Sequence, residues 1–188
     1  MSAIDKGEPD IVNSDIVIRK EVDADIDVIR DVIIEAFKTL EVSNQTEPLI
    51  IEALRAAGAL SISLVAEADG RVVGHIAFSP LTVSDGSSDW YGLGPVSVLP
   101  ECQRQGIGTA LIREGLSQLK DLDAAGYCVV GHPDYYKRFG FENPSGLALK
   151  GVPPEVFFAL PLDGRVPEGT VAFHEGFEAG DPCLSNRR

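Results

Sequence analysis

The chain of 188 residues carries 29 acidic against 16 basic side chains, a formal net charge of -13. That balance speaks against nucleic-acid binding, which needs a basic face toward the phosphates, and there is no run of about 18 apolar residues to span a bilayer. With 44% hydrophobic and 24% charged residues, the composition is that of one soluble globular domain with a substantial core.

Residues 1–14 are polar, acidic and aperiodic, which predicts a disordered lead instead of a signal peptide, and with it a cytoplasmic location. One domain is expected over residues 15–177 and a frayed tail over 178–188. Cys102, Cys128 and Cys183 are odd in number and lack metal-ligand spacing, so free thiols and no metal site are expected.

Residues 15–20 alternate as a first strand. Asp23 or Asp25 can cap a helix whose stripe is Ile26, Ile29, Ile33, Ala36 and Phe37. A second helix follows Thr46 with Pro48 in its first turn, and Leu49, Ile50, Ala53, Leu54 and Ala57 are predicted to face inward before Gly58 ends it. Residues 60–67 and 72–79 form a hairpin about Asp69-Gly70. His75, on the return strand, reads as a hydrogen-bonded structural residue or as a base aimed at a neighbouring site.

A turn at residues 85–89 leads into the strand from Trp90. There Gly92, Gly94 and Pro95 are poor ladder-formers and predict a bulge. Pro100 ends the strand, and a helix runs from Ile107 to Lys120 with Leu111, Ile112, Leu116 and Leu119 turned inward. A strand over 126–131 and a short helix from Asp134 to Gly140 follow. The closing strands are 147–149, 156–160 and 169–174, separated by turns at Pro153-Pro154 and Asp163-Gly164.

Chemistry concentrates in the turn Gln103-Arg104-Gln105-Gly106-Ile107-Gly108-Thr109. Its glycines let a ligand approach the backbone, and the first helix amides lack internal partners, so the helix start is a seat for an anion such as a phosphate. A Walker loop is excluded because no Gly-Lys-Ser/Thr triplet follows, and a dinucleotide fingerprint because Leu111 stands where its third glycine belongs.

The Gln-x-x-Gly-x-Gly turn after a strand and an acidic-proline step resembles the pyrophosphate loop of the GNAT N-acetyltransferases. A second segment, Tyr135-Tyr136-Lys137-Arg138-Phe139-Gly140-Phe141, is similar to the other GNAT signature, a Tyr four residues before a Gly-Phe pair, which Tyr136 satisfies. The resemblance covers about residues 15 to 145 and points to a bacterial subgroup with an extended C-terminal region. It implies an α/β fold whose central mixed, mostly antiparallel sheet is splayed at a parallel pair and flanked by helices. It further implies acetyl-CoA as co-substrate, without a metal, and a small-molecule or peptide amine as acceptor; a homodimer is left open.

Carried onto this chain, the resemblance assigns the cofactor to the backbone around Val96 and Val98 and to Gln103, Arg104, Gln105, Gly106, Ile107, Gly108 and Thr109. It assigns Tyr136 as the acid that protonates the departing sulfur, with Tyr135 as the alternative. Where many members carry a cofactor-binding Asn, this chain has Gly131-His132-Pro133, and no asparagine role is transferred. The base is open between His75, Asp89 and water. A non-catalytic acyl-CoA-binding module of the same fold is the competing reading.

Overall fold

The computed structural model describes residues 16–38, 43 and 45–179; the lead 1–14, most of the tail and Cys183 lie outside them. Six strands make the main sheet: β1 (Ile16–Lys20), β2 (Ile62–Ala68), β3 (Arg71–Pro80), β5 (Trp90–Val98), β6 (Gly126–Val130) and β8 (Phe157–Pro161), in spatial order β1-β2-β3-β5-β6-β8. All neighbours are antiparallel except β5 and β6. Helices α1 (Ile26–Phe37), α2 (Glu47–Ala56) and α3 (Ile107–Lys120) flank this sheet, as the family resemblance implied.

A second sheet was not foreseen. Strand β4 (Thr82–Val83) pairs antiparallel with β9 (Gly169–Ala172), which pairs parallel with β7 (Leu147–Leu149). It has its own apolar core, in which Leu81, Val83, Leu147 and Val171 pack with Trp90 and Phe157.

Two local expectations are corrected. Asp25 precedes α1, but its carboxylate turns back to accept from the Val22 amide at 2.8 Å and from Arg19 at 2.6 and 3.0 Å. It therefore closes a 3-10 turn, Asp23–Asp25, that leads into the helix and leaves the α1 amides uncapped by a side chain. In α2 the buried residues are Pro48, Ile51 and Leu54, while Leu49 is exposed. Ile51 takes the core position, and Ile50, half-buried, packs against the edge of the core while also lining a cavity.

The feature that positions the site is in β5. Ile76 opposes Val96 and Phe78 opposes Leu93, so Ala77 alone faces Gly94 and Pro95: the expected bulge. On the other side, β5 and β6 pair only from Trp90–Gly126 to Gly92–Cys128. Beyond that point β6 pairs with β8 alone and the strands part.

Candidate active site

Alternation decides which backbone groups the gap exposes. The Leu99 amide donates to the Val73 carbonyl, so Ser97 also turns its amide and carbonyl toward β3, and Val96 and Val98 turn theirs toward the open edge. The Gln103 side-chain amide already donates to the Val98 carbonyl at 3.0 Å, which leaves the Val98 N–H and both backbone groups of Val96 facing the gap. Gln105 likewise braces the loop, donating to the Glu101 carbonyl at 3.1 Å.

Helix α3 begins at Ile107 with Gly106 as its cap at φ 86, after Arg104 at φ 63. The two left-handed residues curl the loop so that successive amides point outward. Among the described residues, the amides from Arg104 to Thr109 have no backbone acceptor; the ladder opens with Ala110 donating to Gly106. Ile107 is buried in the core, so only its amide is available. Gln103, Arg104 and Gly106 to Thr109 border a cavity of about 700 Å³, together with Val96, Val98, Tyr135, Tyr136 and Arg138, while Gln105 does not line it.

A short helix, α4 (Pro133–Tyr136), continues as a 3-10 turn and stops at Gly140, φ 90. The Tyr136 ring packs over Gly131, where a Cβ would collide with it, and lies edge-on to Tyr135 (5.2 Å) and Phe141 (5.9 Å). The Tyr135 hydroxyl lies against the first turn of α3 at Gly108, whereas the Tyr136 hydroxyl engages no protein group among the described residues. Burial pushes both phenols above the ordinary tyrosine value, Tyr136 further, so both remain donors at neutral pH. Arg138 reinforces Tyr135, its guanidinium 4.7 Å over the ring and its Nε donating to the Tyr135 carbonyl at 3.3 Å.

Val96, Tyr135 and Tyr136 also line a second cavity, of about 940 Å³, on the far side of the gap. Its walls come from Phe37 of α1, Glu47 and Ile50 of α2, Leu93 and Pro95 at the bulge, and Leu149, Val152, Phe173 and Phe177 from the small sheet and its flanks. The sequence reading missed this lining, as it missed Arg138, although the Arg138 position three residues after Tyr135 in a helical turn was a usable signal.

Neither residue considered as a base borders these cavities. Asp89 lies seven residues before Val96, roughly 20 Å along an extended strand, and accepts from Ser88 at 2.6 Å. His75 shares a face with Ser97, has no exposed surface and contacts Ser63 Oγ at 2.8 Å. Cys102 and Cys128 are buried free thiols, as expected. No helix is long and apolar enough to cross a membrane, and no group of three metal-ligating side chains occurs, among the described residues.

Residues 29–141 match the model of the acetyltransferase (GNAT) family. The chain belongs to this family. A GNAT acetyltransferase from Brucella melitensis, crystallised in complex with acetyl-CoA, is 47% identical and superposes with a TM-score of 0.78, covering 87% of this chain and 98% of that one. The GNAT N-acetyltransferase YhbS of Escherichia coli, crystallised with CoA, superposes at 0.80 with 29% identity over 89% of this chain and 94% of its own. In sequence, YhbS from strain K12 is 36% identical over 110 residues, 58% of this chain and 66% of YhbS. YjhQ, an uncharacterised N-acetyltransferase of the same strain, is 39% identical over 89 residues, 46% of this chain and 49% of YjhQ. The loop from Gln103 to Thr109 and the Tyr136 to Phe141 segment, which carry the resemblance to this family, border the same cavity beside the splayed strands.

Proposed function

We propose that the chain transfers an acetyl group from acetyl-CoA to a primary amine by direct attack, with no covalent enzyme intermediate. The observation that carries this reading is the junction itself: a donor-side cavity bordered by five residues whose amides lack a backbone acceptor, Arg104 and Gly106 to Thr109, and an acceptor-side cavity share Val96, Tyr135 and Tyr136. The diphosphate sits on the amides from Arg104 to Thr109, where helix dipole and unpaired N–H groups favour an anion, and Arg104 and Arg138 add positive charge. The pantetheine arm runs along the open edge of β5 and bonds to Val96 as an added strand would.

At the junction, the Val98 N–H polarises the thioester carbonyl as negative charge develops on oxygen. The amine nitrogen bonds to the carbonyl carbon, the C–S bond breaks, and the Tyr136 hydroxyl protonates the sulfur. Tyr136 suits this role better than Tyr135 because its hydroxyl is uncommitted, whereas that of Tyr135 is packed against the first turn of α3 at Gly108.

Calorimetry with acetyl-CoA, followed by CoA release over a panel of amines, tests the reading. Binding with micromolar affinity and amine-dependent release support it. Absence of acetyl-CoA uptake overturns it, and uptake without release on any amine leaves a binding module in its place. Gly106→Asp and Gly108→Asp should abolish uptake, with the melting temperature of each ligand-free variant measured alongside because Gly106 has a positive φ.

A further inference from the structure

Building on the acetyltransferase reading, we propose that the acceptor is a primary amine carried on a bulky apolar body, its ammonium received by Glu47. The acceptor cavity is far larger than an acetyl group or a single lysine side chain needs. Its walls are dominated by Phe37, Ile50, Leu93, Val152, Phe173 and Phe177, the last two edge-to-face at 4.9 Å.

The polar groups are few and of telling kinds. Glu47 and Glu178 supply carboxylates, Lys150 a single cation, and His132 and His174 imidazoles. His174 Nδ1 accepts from the Gly176 amide at 3.1 Å, so its neutral ring carries the proton on Nε2 and is a donor there. Glu47 is different. Ser43 Oγ donates to Oε1 at 2.6 Å, while Oε2 is buried with no hydrogen-bond partner among the described residues. Oε2 has almost no accessible surface, so Glu47 meets an ammonium in the cavity by a rotation of its carboxylate that turns this unpaired oxygen outward, where a charge-assisted hydrogen bond satisfies it.

Other acceptors fit less well. Polyamines and amino sugars bring several polar groups that apolar walls would desolvate without replacement. A lysine from a folded protein would leave most of the cavity unfilled. A long acyl chain on the donor would fill it but leave Glu47 Oε2 unpaired. In the transfer the ammonium loses two protons; the N–C bond forms as the C–S bond breaks, one proton ends on the sulfur through Tyr136, and the other passes to solvent.

The test measures kcat/KM with saturating acetyl-CoA for 2-phenylethylamine and hexylamine against spermidine, kanamycin and a lysine-bearing peptide. The apolar amines are expected to lead by about tenfold or more. Glu47→Gln should raise the KM for 2-phenylethylamine by about tenfold with the Kd for acetyl-CoA unchanged. Ala172→Trp, at an exposed position lining the cavity, should depress use of 2-phenylethylamine by narrowing the space. Preference for spermidine, kanamycin or the peptide overturns the inference, as does octanoyl-CoA outperforming acetyl-CoA, or unchanged amine KM in both variants. Acetyl-CoA binding without transfer to the apolar amines overturns this inference alone; no acetyl-CoA binding overturns the reading beneath it as well.

Discussion

Beside the cavity of about 700 Å³, the Tyr135 hydroxyl oxygen lies 2.7 Å from the point a Cβ would occupy on Gly108. The first turn of α3 and the short helix α4 therefore touch through a glycine and a phenol. Gly108→Ala should displace the Tyr135 ring and narrow the proposed seat of the diphosphate. Alanine is the better helix former by about 1 kcal/mol, which offsets part of the crowding. The expected outcome is a melting temperature within a few degrees of the parent and acetyl-CoA binding weakened by about tenfold in calorimetry. Unchanged affinity would mean that the diphosphate does not occupy this turn.

Tyr136→Phe should lower kcat by about a hundredfold, in the range of a lost general acid, with the Kd for acetyl-CoA unchanged. Tyr135→Phe should instead act on cofactor affinity, since its hydroxyl lies against the loop at Gly108. Burial holds the Tyr136 phenol well above its ordinary value near 10, so its protonated form persists as pH rises. The parent should lose no kcat to phenol ionisation up to pH 10. An alkaline decline below pH 10 that disappears in Tyr136→Phe would contradict this.

Much of the site was legible because it lies on contiguous residues. Gly92, Gly94 and Pro95 predicted the bulge, and Gln103 to Thr109 predicted the helix start with its free amides. The roles of Gln103 and Gln105 were not legible: their side chains donate to Val98 and Glu101, and local spacing does not distinguish a loop brace from a ligand donor. The acceptor walls were less legible still. Strand β4 has two residues, and its partner β9 lies some ninety positions later in the chain, so periodicity carried no signal for a pairing set by distant contacts. The shift of the α2 stripe has a related origin, since Ile50 is apolar whether it meets the core, a cavity or, as here, both.

Arg104 holds a left-handed φ of 63, a conformation that costs a non-glycine residue about 1 kcal/mol. Arg104→Gly should relieve that cost and raise the melting temperature by about 2 °C, while removing a charge from the donor cavity. Acetyl-CoA affinity is expected to fall about fivefold at low ionic strength, with the deficit shrinking at about 0.5 M salt as screening removes the attraction. A deficit that does not vary with salt would show that Arg104 acts by shape and not by charge.

His75, rejected as a base by its position, belongs to a buried network with Glu21, Ser63 and Arg55. Arg55 grips the Glu21 carboxylate at 3.1 and 2.9 Å, and Ser63 Oγ donates to it at 2.6 Å. Since the single Ser63 proton is spent on Glu21, the His75 contact at 2.8 Å must be Nε2–H donating to Ser63 Oγ. Its link to Glu21 runs through Ser63, the direct separation being 3.8 Å. Burial alone would raise the Glu21 pKa, but His75, Arg55 and Ser63 together pull it from 4.5 down to about 2. A carboxylate depressed on folding adds stability above its unfolded pKa and loses it as pH falls toward its folded one. Glu21→Gln should therefore cost up to ~3 kcal/mol at pH 7, and the gap to the parent should close between about pH 5 and pH 2. The measurement is urea unfolding of both proteins across that window. A gap that stays constant down to pH 2 would mean that Glu21 contributes through shape and hydrogen bonding, without its charge.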